Sequence, residues 1–157
     1  MKKNNFLLLI ISLIVIQIIF NTNISYKFIF IDLIYISVFY ISIRLEFRKS
    51  IILSTLLGIL TDYLTIGILG VFGLSRAISS YFINTITKYF DISKDKFLIS
   101  IFLLTFIFSN FLANIFFILI FNINLSIKII FVIPITTTIL NYILFKIPKI
   151  KKILNVY

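Results

Sequence analysis

The sequence predicts an all-α protein, a polytopic membrane helix bundle with six transmembrane helices and both the N- and C-termini cytoplasmic. Of the 157 residues, 61% are hydrophobic and only 13% are charged, whereas soluble domains carry about 25% charged residues. The charged residues also cluster between long apolar runs, and about 20 apolar residues are what a helix needs to cross the bilayer core of about 30 Å. We therefore expect one integral membrane domain that occupies residues 1–157.

The order of apolar and basic segments predicts the individual spans and their orientation. The spans are expected at about residues 6–20, 28–43, 51–65, 69–87, 97–121 and 129–145. With the N-terminus inside, the inner segments hold most of the 15 basic residues: Lys2, Lys3, Arg44, Arg48, Lys49, Lys88, Lys94, Lys96, Lys146, Lys149, Lys151 and Lys152. The outer segments hold only Lys27 and Lys128. Because Lys and Arg accumulate in cytoplasmic loops, this distribution explains the net charge of +10 without nucleic acid.

The first apolar run could also belong to a signal peptide, because it follows a basic start. The segment after it, NTNIS, offers no cleavage site of the small-x-small kind. We therefore expect a retained first span, whose polar Gln17 packs against a neighbouring helix.

Residue types missing from the chain restrict its chemistry. Cysteine and histidine are absent, which excludes thiolate nucleophiles, disulfides, imidazole bases and Cys/His metal sites. Catalysis would fall to Asp32, Asp62 or Glu46, and these do not form the clustered acidic motif with which a phosphotransferase holds its metal ion. The expectation is a protein that is not an enzyme and has no cofactor or metal.

The stretch 56–76 stands out because it holds all four glycines of the chain, Gly58, Gly67, Gly70 and Gly73. Small and polar residues continue at spacings of three and four on both sides of it. In the third span they are Ser54, Thr55, Gly58, Thr61, Asp62 and Thr65, and in the fourth Gly70, Gly73, Ala77, Ser80, Asn84 and Thr87. Such faces allow close approach of membrane helices, so a tight hairpin that turns near Gly67 is expected.

Charged residues inside the spans are expensive and normally find a partner. If the hairpin turns near Gly67, Asp62 and Arg76 both lie roughly 10–13 Å from the outer edge at 1.5 Å per residue. Asp32 lies at about 6 Å by the same rise. The hypothesis is that Arg76 pairs with Asp62, with Asp32 nearby. Such a group could be a structural ion pair that fixes helix register, or a ligand or proton site.

Two asparagines in the fifth span, Asn110 and Asn114, are spaced i, i+4. Because an amide facing lipid would be costly, this face is expected to point inward. Hydrogen bonding between helices is the commoner role for such a pair, and a binding contact is the alternative.

The glycine-rich hairpin resembles the MreD family of rod shape-determining proteins of the bacterial inner membrane. The matching features are Gly58 with Asp62 one turn later, a short Thr/Gly connection, Leu69-Gly70, and then Gly73 and Ala77. Length, basic inner loops and multiple spans are also similar. The chain departs from the family pattern in being richer in Ile and Phe and poorer in Gly and Ala around the hairpin.

The resemblance implies a non-enzymatic membrane component of the cell-elongation and peptidoglycan-synthesis machinery, in the cytoplasmic (inner) membrane. Its implied partners are membrane lipid, an MreC-like protein and, through that protein, an MreB-like filament and peptidoglycan synthases. The family is similar in fold to the substrate-binding S components of energy-coupling-factor vitamin transporters, which makes such a component the alternative. S components commonly carry an Ala-x-x-x-Ala seam in the first span, and this first span has no alanine.

Overall fold

The computed structural model describes residues 11–19, 32–65, 69–90, 95–121, 135, 137–139 and 142. All regular structure in these ranges is helical, which confirms the predicted all-α class. Helix α1 covers 11–19, and the next four helices are α2 (Leu33–Arg44), α3 (Phe47–Thr65), α4 (Val71–Tyr89) and α5 (Asp95–Phe121). Residues 135, 137–139 and 142 are helical as well. The predicted spans 6–20 and 129–145 lie partly outside the described residues, and Gly67 lies wholly outside them.

Helix α2 forms the centre of the molecule. All its residues from Leu33 to Ser42 are buried, as expected for a helix that is apolar on every side. Its Tyr35 ring meets the edge of Phe106 on α5 with ring centroids 4.7 Å apart, and Phe39 meets Phe102 at 5.1 Å. Helices α1, α4 and α5 all contribute to the same apolar cluster around α2.

Helices α3 and α4 form an antiparallel hairpin of matched length. Each has 19 residues, or about 28 Å at 1.5 Å per residue, close to the bilayer core of about 30 Å. The backbones of the two helices come close together at Gly58, where an added Cβ would lie 2.5 Å from the Phe72 carbonyl oxygen and 2.6 Å from the Gly73 Cα. Only a residue without a side chain fits against backbone at this distance.

The element boundaries differ from the prediction at two places. The predicted spans leave residues 44–50 as the connection between the second and third spans, but α3 already begins at Phe47 and the connection from α2 is only Leu45 and Glu46. Arg and Lys are good helix formers, so the helix extends beyond the apolar stretch. Asp32 was predicted four residues into a span, whereas it is the N-cap of α2.

Within the described residues, one helical segment is long and apolar enough to cross a membrane by length and composition alone: Phe97–Ile120 of α5. Only 22% of its most apolar 18-residue window is buried. The core helix of a soluble protein would be mostly covered, so this exposure is consistent with a helix that faces lipid.

Candidate functional site: the buried polar seam

The Asp62 carboxylate caps the N-terminus of the neighbouring helix. Its Oδ2 accepts hydrogen bonds from the backbone N–H groups of Gly70 (2.9 Å) and Gly73 (3.1 Å), and its Oδ1 accepts from Phe72 (2.8 Å). The first N–H groups of a helix lack partners within the helix. The N-cap residue of α4, Gly70, has no side chain with which to supply one. Asp62, fully buried on α3, supplies it instead and places negative charge at the positive end of the α4 dipole.

The backbone at Gly70 allows this geometry. Its φ of 120° lies outside the range that residues with side chains adopt easily. The turn directs the amides of Gly70, Phe72 and Gly73 toward one carboxylate, which joins the C-terminal end of α3 to the N-terminal end of α4.

Arg76 is a fully buried arginine that ties three helices together. Its Nη2 donates to Asp32 Oδ2 at 2.6 Å, and its Nη1 donates to the Leu57 carbonyl at 2.9 Å and to the Thr61 hydroxyl. Its guanidinium carbon also lies 5.4 Å from the centre of the Phe72 ring. Arg76 belongs to α4, Leu57 and Thr61 to α3, and Asp32 to the start of α2, so one side chain fixes the relative positions of all three helices.

The hypothesis that Arg76 pairs with Asp62 is wrong, because its salt-bridge partner is Asp32. Both Asp62 oxygens are taken by backbone amides at the end of α4, and the guanidinium turns toward α2. Asp62 and Arg76 were expected at similar depth because each lies a similar number of residues from the turn of the hairpin. This similarity in depth could not show that the N-terminus of α2 packs beside Arg76, which is a tertiary contact over 44 residues.

Asp32 has two roles at once. Its Oδ1 accepts from the Tyr35 N–H at 3.0 Å, as an N-cap residue does, while its Oδ2 binds Arg76. The side-chain oxygen of Gln17 on α1 accepts from the Leu33 N–H at 2.8 Å. The start of α2 is thus capped by its own carboxylate and by an amide from α1, in agreement with the expectation that Gln17 packs against a neighbouring helix.

Asp62, Arg76 and Asp32 form one end of a buried polar seam between α2, α3 and α4. A second polar cluster lies toward the other end of this seam. The Ser42 hydroxyl of α2 donates to Ser80 of α4 at 2.8 Å, and the Asn84 amide of α4 donates to Ser50 of α3 at 2.7 Å. Sequence reasoning identified Ser80 and Asn84 but missed Ser42 and Ser50. Ser50 could have been found, because it lies one turn before Ser54 on the same small-residue face.

The remaining predicted residues lie in different places. Asn110 is half-buried and donates to the Phe106 carbonyl of its own helix at 3.0 Å, so this bond does not join it to the buried charges. Asn114 and Ala77 are half-buried. Gly73 is buried opposite Ile59, whose Cγ1 would lie 3.1 Å from an added Cβ.

The buried charges between α2, α3 and α4 are bonded within the protein, whereas the Arg76 Nε and the Ser54 hydroxyl are buried without a hydrogen-bond partner among the described residues. Asp32 and Asp62 are engaged by a guanidinium and by backbone amides. Among the residues that the structure describes, no three acidic side chains come together in a way that could hold a metal ion. The arrangement is suited to fixing helix positions.

Comparison with known proteins identifies one family. The family model described as rod shape-determining protein MreD matches residues 1–150. Neither the curated proteins nor the solved structures gave a significant match. The family match covers nearly the entire chain of 157 residues and agrees with the resemblance of the glycine hairpin. The chain therefore belongs to the MreD family of rod shape-determining proteins.

Proposed function

We propose that this chain is a six-span, non-enzymatic component of the bacterial cell-elongation machinery, which influences cell shape through protein–protein contacts. Membership of the MreD family carries the proposal, because that bacterial membrane family acts in rod-shape determination. The proposed partners are an MreC-like protein and, through it, an MreB-like filament and peptidoglycan synthases. The proposed location is the cytoplasmic membrane, with both termini inside the cell.

The orientation of polar and apolar residues supports α3 and α4 as membrane spans. The polar side chains Ser54, Thr61 and Asp62 are buried, whereas Ile52 and Leu56 on the outer face of α3 are 61% and 56% exposed. Polar residues that face the protein and apolar residues that face outward are what lipid surroundings require. The matched hairpin length of about 28 Å agrees with this proposal.

The buried charges support a structural role for the seam. Asp62 stabilises the hairpin, and the pair of Arg76 with Asp32 attaches the hairpin to α2. A protein that acts by contact must present its outer surface in a fixed shape, and these internal bonds would supply that rigidity. Asp62, Arg76 and Asp32 are therefore proposed as positioning residues for a binding surface elsewhere on the molecule.

A depletion experiment tests the assignment to the elongation machinery. Cells that lose the protein are expected to round and swell regardless of vitamin supply, and the wild-type chain is expected to restore rods. Rod-shaped cells that instead require a vitamin would contradict the proposal and point to a transporter component. Co-purification with a transport ATPase would contradict it as well.

Site-specific photo-crosslinking tests whether contact occurs and which helix makes it. A photoreactive amino acid is placed at exposed apolar positions, Ile52 on α3, Leu74 on α4 and Leu104 on α5, which are 61%, 51% and 64% exposed. The matched control is Val38 on α2, which is fully buried. At least one exposed position should capture the MreC-like protein and the buried one should not. Failure at all three, in cells that remain rods, would argue against contact through these helices.

A further inference from the structure

Four basic residues meet at one end of the α2–α3–α4 unit. Arg44 lies in the last turn of α2, Arg48 and Lys49 in the first turn of α3, and Lys88 in the last turn of α4. They share an end because α2 and α3 are joined by two residues and the hairpin helices are equal in length. Lys49 is paired with Glu46 at 2.9 Å. The segment that follows α4 in the sequence, 91–96, holds two lysines and two aspartates and so carries no net charge.

Aromatic rings position part of this basic group. The Lys88 ammonium lies 5.5 Å from the centre of the Phe47 ring, and Phe47 also meets the Tyr81 ring at 5.6 Å. Phe47 directly precedes Arg48 in the first turn of α3, so the contact between Phe47 and Lys88 brings the C-terminal end of α4 beside the turn that carries Arg48. Arg44 lies over the Tyr40 ring at 5.1 Å, and its buried Nε has no hydrogen-bond partner.

Arg48 and Lys88 are both exposed, and each lies at one end of an apolar stripe along its helix. On α3, Arg48 is followed at intervals of four by Ile52 and Leu56, and all three are exposed. On α4, Lys88 is preceded at intervals of seven by Tyr81 and Leu74, which are also exposed. Residues at these intervals share one face of a helix. Each stripe therefore combines a cation at the helix end with apolar surface along the helix.

We propose that this surface binds one anionic phospholipid, with its phosphate between Arg48 and Lys88 and its acyl chains along the two apolar stripes. A lipid is the occupant that uses both parts of the surface, because a free anion or an acidic peptide would use the cations and leave the stripes uncovered. Tyr81 is an amphipathic side chain of the kind found at the membrane–water interface, and it packs against the aromatic ring of Phe47. The inference rests on the proposed function only for the placement of the hairpin in a membrane.

The test measures lipid retention by the full chain purified in detergent. Native mass spectrometry compares phosphatidylglycerol with phosphatidylcholine of the same acyl chains. The wild type should retain phosphatidylglycerol preferentially, and the preference should fall with added salt. Since each basic residue near an anionic surface contributes about fivefold in affinity, the double variant R48Q/K88Q should bind roughly 25-fold less tightly.

Two control variants separate a site from general charge attraction. The variant K27Q/K128Q removes the same charge from the predicted outer segments and should retain the lipid. The variant R48K/K88R keeps the charge and should bind within about threefold of the wild type, because both cations bind phosphate and attract anionic lipid through their charge.

Four outcomes would overturn the inference. These are equal retention of both lipids by the wild type, equal loss of lipid in the two charge-removing variants, full competition by inorganic phosphate, and normal lipid retention by R48Q/K88Q. The proposed function is tested separately by cell shape. If the wild-type chain binds the lipid but does not restore rod shape in depleted cells, the proposed function is contradicted and the lipid site is not.

Discussion

The cap that Asp62 places on α4 provides the sharpest test of the structure. Replacing Asp62 by alanine leaves the N–H groups of Gly70, Phe72 and Gly73 without their acceptor. Loss of an ordinary N-cap side chain costs about 0.5–2 kcal/mol, and a hydrogen bond to a charged group is worth about 1.5–3 kcal/mol. Because this cap is buried and serves three donors, we expect a loss of about 3–4 kcal/mol in the free energy of unfolding.

The variant Asp62→Asn refines the same test. An asparagine has only one acceptor oxygen, so it can replace either Oδ1, which serves Phe72, or Oδ2, which serves Gly70 and Gly73. Its NH₂ group then faces at least one backbone donor, and the charge at the helix N-terminus is lost. We expect a cost of about 1–3 kcal/mol, smaller than that of alanine.

Thermal unfolding in detergent, followed by circular dichroism at the helix band, measures both variants. At about 2–4 °C per kcal/mol for a chain of this size, Asp62→Ala should melt roughly 6–16 °C below the wild type. The matched control is Thr55→Ala on the same helix, because the Thr55 hydroxyl bonds only to the Ile51 carbonyl one turn away, at 2.8 Å. The capping argument would be refuted if Asp62→Ala melted no lower than this control.

Three further predictions concern other contacts of the seam. Asp32→Asn or Arg76→Met alone should each lower the free energy of unfolding by about 3–5 kcal/mol, because removing one partner leaves a buried charge unpaired. The double variant should lose less than the sum of the two single losses. Strictly additive losses in SDS unfolding would show that the two residues do not interact. Gly58→Ala should lower the free energy of unfolding by about 1–3 kcal/mol, since its Cβ would meet a backbone carbonyl at 2.5 Å. Gly73→Ala should lower it less, since the nearest atom there belongs to a side chain at 3.1 Å. A lower melting temperature for Gly73→Ala than for Gly58→Ala would contradict this packing. Asn84→Leu breaks the 2.7 Å bond to a serine of α3 and should lower stability by about 1–2 kcal/mol, with no change in melting temperature as the opposing result.

Sequence reasoning reached the helical class and the small-residue faces of the hairpin because both depend on local patterns. Apolar runs broken by basic residues indicate helices in a membrane, and spacings of three and four place Gly58, Thr61 and Asp62 on one face of α3. Their burial, and the contact of Gly58 with the α4 backbone, agree with that pattern. The same reasoning placed Asp62 and Arg76 at similar depth but paired them incorrectly.

Helix ends were the least accessible feature of the fold. Hydropathy marks where apolar residues stop, whereas a helix ends where its backbone groups find other partners. Asp32 was for this reason assigned to the interior of a span, although its carboxylate caps α2. For the same reason the predicted third span begins at residue 51, although α3 begins at Phe47 and includes the polar residues that follow it.

The sequence by itself determined that the chain is helical, rich in apolar surface and contains one glycine hairpin, because these properties follow from the order of apolar, small and basic residues. Only the tertiary structure decided which carboxylate pairs with Arg76. Arg76 could have bonded either carboxylate by charge alone, and the choice depends on Gly70 turning three amides toward Asp62 while α2 brings Asp32 to the guanidinium. Those contacts join residues that are distant in the chain, and no local pattern records the distance between them.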